Sequence, residues 1–294
     1  MSDIIPFDKR DGFIWYNGEF VDWKDAKIHV LNHGLHYGSC VFEGERIYNH
    51  KIFKSNEHSV RLHESAKMLD FSLPYSVEQI NIAKNELVIK QKIVDGYMRA
   101  FAWRGSEKMA ISAQGNQIHM AIACWPWPPY YSDEARKSGL KLKFAKYRRP
   151  SPDTAPTASK AAGLYMICTV SKHEAEREGY NDAIMLDYRG YLAEATGANL
   201  FLVMPNNELH TPTPDCFLNG ITRQTVIEIA KQRNIKVVER HIKPEEFSLA
   251  IDAFVTGTAA EITRIGEIEK IKYPVANQMT LDLMQDYHKL VRGL

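Results

Sequence analysis

The chain is poor in the features that mark most specialised protein classes. Cysteine is scarce: 4 of 294 residues. Cys40, Cys124, Cys168 and Cys216 are widely spaced without a CxxC pair, which excludes a disulfide scaffold and fits reduced thiols in a cytoplasm. No apolar run approaches the roughly 20 residues of a membrane span, and the opening MSDIIPFDKRDG lacks the apolar core of a secretory signal. A soluble, unexported, cytoplasmic protein without a membrane partner is therefore expected. An excess of one charge is missing as well: 37 Lys and Arg stand against 36 Asp and Glu, so no long-range field favours nucleic acid, and a small molecule is the expected partner. Neither GxGxxG nor GxxxxGK[ST] occurs, which removes support for dinucleotide and P-loop sites. His29, His33 and His36 lie close together and His58 and His63 flank Arg61, but without HExxH or Cys/His zinc spacing no metal site is expected. Internal repeats and low-complexity tracts are absent.

What remains is an ordinary globular composition, with 45% hydrophobic residues and length for one large or two ordinary domains. In FIWYNGEFV, Asn17 and Gly18 stand between apolar runs as a two-residue hairpin turn. VFEGERIY and KIFK form a second strand pair around Asn49 and His50. Ser55 is expected to cap a helix through SVRLHESAKML, and Ser76 with Gln79 makes a capping box before INIAKNELVIKQKI. GYMRAFAW and IHMAIACW read as strands, completing an α+β unit over residues 1–125. The proline-rich and aromatic PWPPYYSDEARKSG cannot continue a ladder and reads as an interdomain connection over 126–138. Residues 139–294 form the larger domain, with strands LKLKFAKY, DAIMLD, GYLAEA, ANLFLV, KVVERHI and AFVTGT. Its helices are VSKHEAEREG, RQTVIEIAKQRN, a short one after KVVERHI, and a terminal one near TLDLMQDYHKLV.

Three groups of residues could carry chemistry. Lys160 lies in TAPTASKAAGLYM among Ala158, Ser159, Ala161, Ala162 and Gly163. A lysine amine is nucleophilic only when deprotonated, which requires desolvation or nearby cations to lower it from about 10.4. Small uncharged neighbours suit that role, although an exposed lysine at a helix start satisfies the same local pattern. Glu194, in GYLAEATGANLF, is a carboxylate at a strand end beside a turn, suited to a buried cation or equally to a solvent-facing strand edge. LNGITRQTVIEIA brings Ile221 and Thr222 to a helix start, where free N–H groups and the dipole favour phosphate. VTGTAAEIT offers Thr258 after Gly257 in a similar turn. Arg61 supplies a guanidinium able to grip phosphate bidentately.

A Schiff-base amine, a carboxylate and phosphate-gripping turns match the needs of pyridoxal phosphate. HGLHYGSCVFEGERIY, EHSVRLHESAK, PTASKAAGLY, YLAEATGANLF, NGITR and GTAAEI, in this order and spanning nearly the whole chain, strongly resemble the branched-chain amino acid aminotransferases among the fold-type IV pyridoxal-phosphate enzymes. The resemblance implies a two-domain α+β / α/β fold of the D-amino acid aminotransferase type, with a small N-terminal domain and a larger cofactor-binding domain. It implies reversible amino transfer between L-leucine, L-isoleucine or L-valine and 2-oxoglutarate, giving branched-chain 2-oxo acids and L-glutamate. Lys160 would bind the cofactor covalently and shuttle the proton. Tyr165 would bond the cofactor's phenolic oxygen and Glu194 its protonated ring nitrogen. Arg61, Ile221, Thr222 and Thr258 would hold the phosphate, with Leu218 packed on the ring.

The same resemblance places Tyr37, Phe42, Ile111, Trp127 and Tyr130 in the substrate pocket. Tyr97 and Arg99 match the YxR motif for substrate carboxylates, and the Thr258 and Ala259 N–H groups would receive the α-carboxylate. Tyr37 and Ile111 would reach across an interface, so a homodimer is implied, with a hexamer of three dimers as its larger form. The chain departs from the family's usual pattern at Gly197-Ala198-Asn199 and at Asn219, which precedes Gly220. Within the fold, D-amino acid transaminase and aminodeoxychorismate lyase are the alternative activities, and the YxR motif and HYGSCVFEG favour the branched-chain reading.

Overall fold

The computed structural model describes residues 5–294. Residues 1–4, the start of the MSDIIPFDKRDG stretch, lie outside the described residues. The chain divides into two compact units, residues 1–128 with 159–163, and residues 129–158 with 164–294. The division falls inside the proline-rich stretch, where Asp133–Ser138 forms a short helix capped by Ser132. The Lys160 segment, expected in the 139–294 domain, packs with the first unit.

The first unit is built on an antiparallel sheet. Its centre is the long pair Gly96–Arg104 and Ile118–Pro126, in register from Gly96 opposite Pro126 to Arg104 opposite Ile118. The Phe13–Tyr16 and Glu19–Asp22 hairpin adds on one side, turned by Asn17 and Gly18 at φ 49° and 100°. VFEGERIY is not one strand. Cys40–Phe42 and Glu45–Tyr48 are separate strands, each paired with Gly96–Arg104, and the break between them carries Glu43 and Gly44. Two helices, Ser55–Met68 and Val77–Lys90, cover one side of the core formed by residues such as Val41, Ile47, Leu62, Leu87, Met98 and Met120. The capping box at Ser76 and Gln79 forms. The cap at Ser55 does not: Lys54, in a left-handed conformation, is the N-cap, and the Ser55 hydroxyl bonds Asn81.

The second unit holds a mixed nine-stranded sheet. Leu192–Ala195 pairs with both Asp182–Leu186 and Asn199–Val203, which closes six of the strands into a ring. Leu142, Ile184, Leu200, Val255 and Ile265 fill its core. The helices Met166–Arg177, Ile221–Gln232 and Gln278–Arg292 complete the unit. Three strands here have no clear sequence signal: Leu209–Pro212, Glu261–Ile268 and Ile271–Lys272. Leu209–Pro212 ends in proline and is half polar, and it is held by antiparallel pairing with Asn199–Val203 and parallel pairing with Val237–Arg240. Among the described residues no helix is long and apolar enough to cross a membrane.

Candidate active site

In the first unit, the small residues around Lys160 let its backbone be stitched to two elements. Ala161 bridges Val41, and the Phe42 N–H donates to the Lys160 carbonyl at 3.1 Å. The Lys160 N–H donates to Ser65 Oγ at 3.0 Å, and Ser159 Oγ donates to the Ser65 carbonyl at 3.0 Å. The side chain is thereby held with Nζ 4.9 Å from the Phe42 ring centroid. Its ammonium is depressed to about 8, first by desolvation and next by the Arg61 guanidinium; Glu43 and Tyr97 oppose the fall and Arg99 adds to it. An amine so shifted is deprotonated in a useful fraction near neutral pH, as a nucleophile or proton carrier requires.

Tyr97 and Arg99 project from the same side of their strand, at the period-2 spacing that sends i and i+2 to one face. Arg99 Nη2 approaches the Tyr97 hydroxyl at 3.4 Å and its guanidinium lies 4.5 Å from the Phe42 ring centroid. Tyr97 and Trp127 lie with centroids 5.4 Å apart. Gly44 makes this arrangement possible, because a Cβ there would stand 1.9 Å from the Tyr97 hydroxyl. Arg61 donates from Nε and Nη2 to the two oxygens of Glu43, both at 2.7 Å. Lys160, Phe42, Arg61, Tyr97, Arg99 and Trp127 thus form one cluster: an amine, two guanidinium groups and an aromatic wall.

The second unit carries the other polar groups. Glu194 is buried and stands opposite Asn199 in the ladder where the ring closes. Asn199 Nδ2 donates to Glu194 Oε2 at 3.3 Å and to the Leu218 carbonyl at 3.0 Å, while its Oδ1 accepts from the Gly220 N–H at 3.2 Å. One amide therefore ties the carboxylate to the turn that opens the Ile221–Gln232 helix. Gly220 is required there, since a Cβ would meet Asn199 Oδ1 at 2.2 Å. No side chain caps that helix, so its N-terminal N–H groups at Ile221 and Thr222 suit an anion. Arg149 Nε lies 3.4 Å from Glu194 Oε1, and its Nη1 donates to Cys168 Sγ at 3.4 Å. Burial disfavours the Arg149 charge, but Glu194, Cys168 and Tyr165 hold its pKa above the usual value. Thr258 and Ala259 occupy the turn between Asp252–Gly257 and Glu261–Ile268.

Three expected pocket residues are exposed: Tyr37 at 50%, Tyr130 at 45% and Ile111 at 90%. Tyr37 stacks on His33 with centroids 4.6 Å apart. Sequence reasoning passed over Glu43, Arg149 and Asn199. Asn199 falls in the expected strand ANLFLV and in the Gly197-Ala198-Asn199 departure, and the signal that it matters is its place opposite a buried carboxylate. Asp187, Asp215 and Cys216 form a group of potential metal ligands, but the Arg189 guanidinium already bridges both carboxylates.

The model of the class IV aminotransferases matches residues 40–268. A probable branched-chain-amino-acid aminotransferase of Rickettsia bellii is 43% identical over 284 residues, 96% of each chain. The crystal structure of the Escherichia coli branched-chain amino acid aminotransferase superposes with a TM-score of 0.93 at 36% identity, covering 97% of this chain and 96% of that one. The pyridoxal-phosphate form of the Thermobaculum terrenum branched-chain amino acid aminotransferase gives 0.87 at 27% identity, covering 96% and 94%. A lysine with a depressed ammonium, a YxR pair and a buried carboxylate over an uncapped helix all fall within a match of this length, and the chain belongs to the class IV aminotransferases, among the branched-chain-amino-acid aminotransferases.

Proposed function

We propose that this protein transfers amino groups reversibly between L-leucine, L-isoleucine or L-valine and 2-oxoglutarate, with pyridoxal phosphate as cofactor. The observation that carries the reading is Lys160, depressed to about 8 beside Arg61, Tyr97 and Arg99. The donor set fits the cofactor group by group. Lys160 offers an amine for the aldehyde, Glu194 a buried carboxylate for the ring nitrogen, and Tyr165 a hydroxyl for the phenolic oxygen. Arg61, the Ile221 and Thr222 N–H groups and Thr258 offer donors for the phosphate, and Leu218 a surface for the ring. When bound, pyridoxal phosphate supplies an electron sink for charge developing at the substrate's α-carbon.

The chain's own groups do the rest. Lys160 Nζ accepts and returns the α-proton. Glu194, held by Arg149 and Asn199, offers its carboxylate to a cationic ring nitrogen. Phe42 and Trp127 provide apolar surface for a branched side chain, to which Tyr130, and Tyr37 and Ile111 across a dimer interface, would add. Arg99 and Tyr97 provide the donors that a second carboxylate needs once desolvated. The Thr258 and Ala259 N–H groups receive the α-carboxylate. We take the two compact units as the family's small and cofactor-binding domains, with 126–138 as the connection. The exposed Tyr37 and Ile111 suit a homodimer, and the site chemistry suits a cytoplasmic enzyme of amino acid metabolism.

D-amino acid transamination and aminodeoxychorismate lysis are not favoured, because the relatives at high coverage bear the branched-chain name. Borohydride reduction followed by peptide mapping should place a pyridoxyl group on Lys160, and an assay with leucine and 2-oxoglutarate should yield glutamate. Label on another lysine, or no glutamate, would refute the proposal.

A further inference from the structure

The Ser55–Met68 helix presents His58, Arg61 and Ser65 at i, i+3 and i+7, one face of a 3.6-residue period. Each of the three does something definite. Ser65 accepts from the Lys160 N–H at its Oγ and from the Ser159 hydroxyl at its carbonyl. Arg61 and His58 converge on the single carboxylate of Glu43, which is fully buried in the break between Cys40–Phe42 and Glu45–Tyr48. His58 Nδ1 lies 2.6 Å from Glu43 Oε2, the oxygen that also accepts from Arg61 Nη2. Burial works against the Glu43 charge, but Arg61 and then His58 hold its carboxyl well below the usual range. A carboxylate only accepts, so His58 Nδ1 carries the proton of that bond. The Glu43 N–H is itself fixed, donating to the Ala100 carbonyl at 2.7 Å.

A negative charge behind Arg61 weakens that residue's pull on any anion. If attraction alone governed the position, a neutral side chain would serve better. What a carboxylate offers instead is geometry: a side-on pair through Nε and Nη2 sets the guanidinium plane and turns Nη1 away from Glu43. We propose that Glu43, seated by His58, is a positioning residue that aims the Arg61 guanidinium at the cofactor's phosphate and tempers the positive field at Lys160. This rests on the reading that Arg61 grips the phosphate and Lys160 the cofactor. Among the described residues, the charged and titratable groups that bear on Lys160 include Arg61, Glu43, Tyr97 and Arg99, and those that bear on Glu43 include Arg61 and His58.

The test uses apoenzyme. Affinity for pyridoxal phosphate is titrated by protein fluorescence, and the ionisation of Lys160 is read from its acetylation rate against pH by mass spectrometry. Glu43→Gln keeps the shape but turns an amide N–H toward the guanidinium. It should weaken cofactor binding by roughly 10-fold, within the range for coupled neighbours, and shift the Lys160 midpoint downward. Combined with Arg61→Ala it should cost no more than Arg61→Ala alone, because Glu43 acts through that side chain. His58→Leu should share the loss, and His58→Asn, whose amide can donate from nearly the place of Nδ1, should restore it. The His58 pair carries the test if Glu43→Gln does not fold. Wild-type affinity in both Glu43→Gln and His58→Leu while Arg61→Ala is weakened, or losses at Glu43 and Arg61 that simply add, would overturn the inference. Wild-type affinity in Arg61→Ala together with label away from Lys160 would sink the cofactor reading and this inference with it.

Discussion

Two lysines point inward in the first unit, and they are opposites. Lys84 is fully buried, with Nζ 2.7 Å from Glu45 Oε1 and 2.7 Å from Ser59 Oγ. Lys160 is only partly buried, yet two guanidinium groups bear on it and the carboxylate nearest in influence, Glu43, is bound to Arg61. The difference teaches that burial alone does not make a lysine reactive. Lys84 has a carboxylate dedicated to it and serves the fold, whereas the charge balance around Lys160 favours the neutral amine and serves chemistry.

The largest effect expected from this contrast is on turnover. Lys160→Ala should lower amino transfer from leucine by on the order of 10⁴-fold, the upper range for loss of a positioned acid–base group. Lys84→Met should leave turnover per folded molecule near wild type, as steady-state kinetics on both variants would reveal. Comparable activity losses would erase the distinction.

Stability should reverse the order. Lys84→Met strands the buried Glu45 carboxylate and should cost about 3 to 5 kcal/mol in urea unfolding, most of it recovered when Glu45→Leu is added. Equal costs for the single and double variants would mean that the pair's charge balance is not what matters.

Lys160→Met should act the other way in apoenzyme. Folding lowers the Lys160 ammonium from 10.5 to about 8, so between those values the folded state binds fewer protons and its stability rises with pH. At pH 7 the substitution should stabilise by on the order of 2 kcal/mol, after discounting for partial exposure, and the advantage should fade as pH approaches 10. Denaturation midpoints at pH 7 and pH 10 decide this; an advantage independent of pH would contradict the assigned cause.

The smallest and most discriminating effect concerns Arg99. Because Arg99 helps depress the Lys160 ammonium, Arg99→Ala should raise the Lys160 midpoint slightly. The same change should slow the glutamate half-reaction more than the leucine one, by about 2 kcal/mol, the lower end for truncating a desolvated charge pair. Single-turnover kinetics with each amino acid measures the difference, and equal losses would show general support of the site.

Much of this was legible in the chain itself. The hairpin at Asn17-Gly18, the capping box at Ser76 and Gln79, and the helical face carrying Arg61 follow from local dihedral and hydrogen-bond preferences that a few neighbouring residues settle. The small uncharged residues around Lys160 mark it as a candidate reactive amine. The Ser55 cap was misplaced by one residue because left-handed Lys54 leaves no sequence signal as clear as a glycine. Leu209–Pro212 has no such local signal, because its partner strands, Asn199–Val203 and Val237–Arg240, decide it.

By itself, then, the sequence determined the elements whose cause is local, along with the amine, carboxylate and guanidinium types that pyridoxal chemistry requires. Tertiary structure decided which polar groups meet. Glu43 reaches Arg61 across 18 positions, Arg149 reaches Glu194 across 45, and Asn199 reaches Leu218 across 19. No periodicity encodes those pairings, because they arise where sheet register and helix packing bring distant segments within hydrogen-bonding distance. Lys160 shows the division most clearly: its small neighbours are written in the chain, but its depressed ammonium depends on the desolvation and the nearby Arg61 that only the fold supplies.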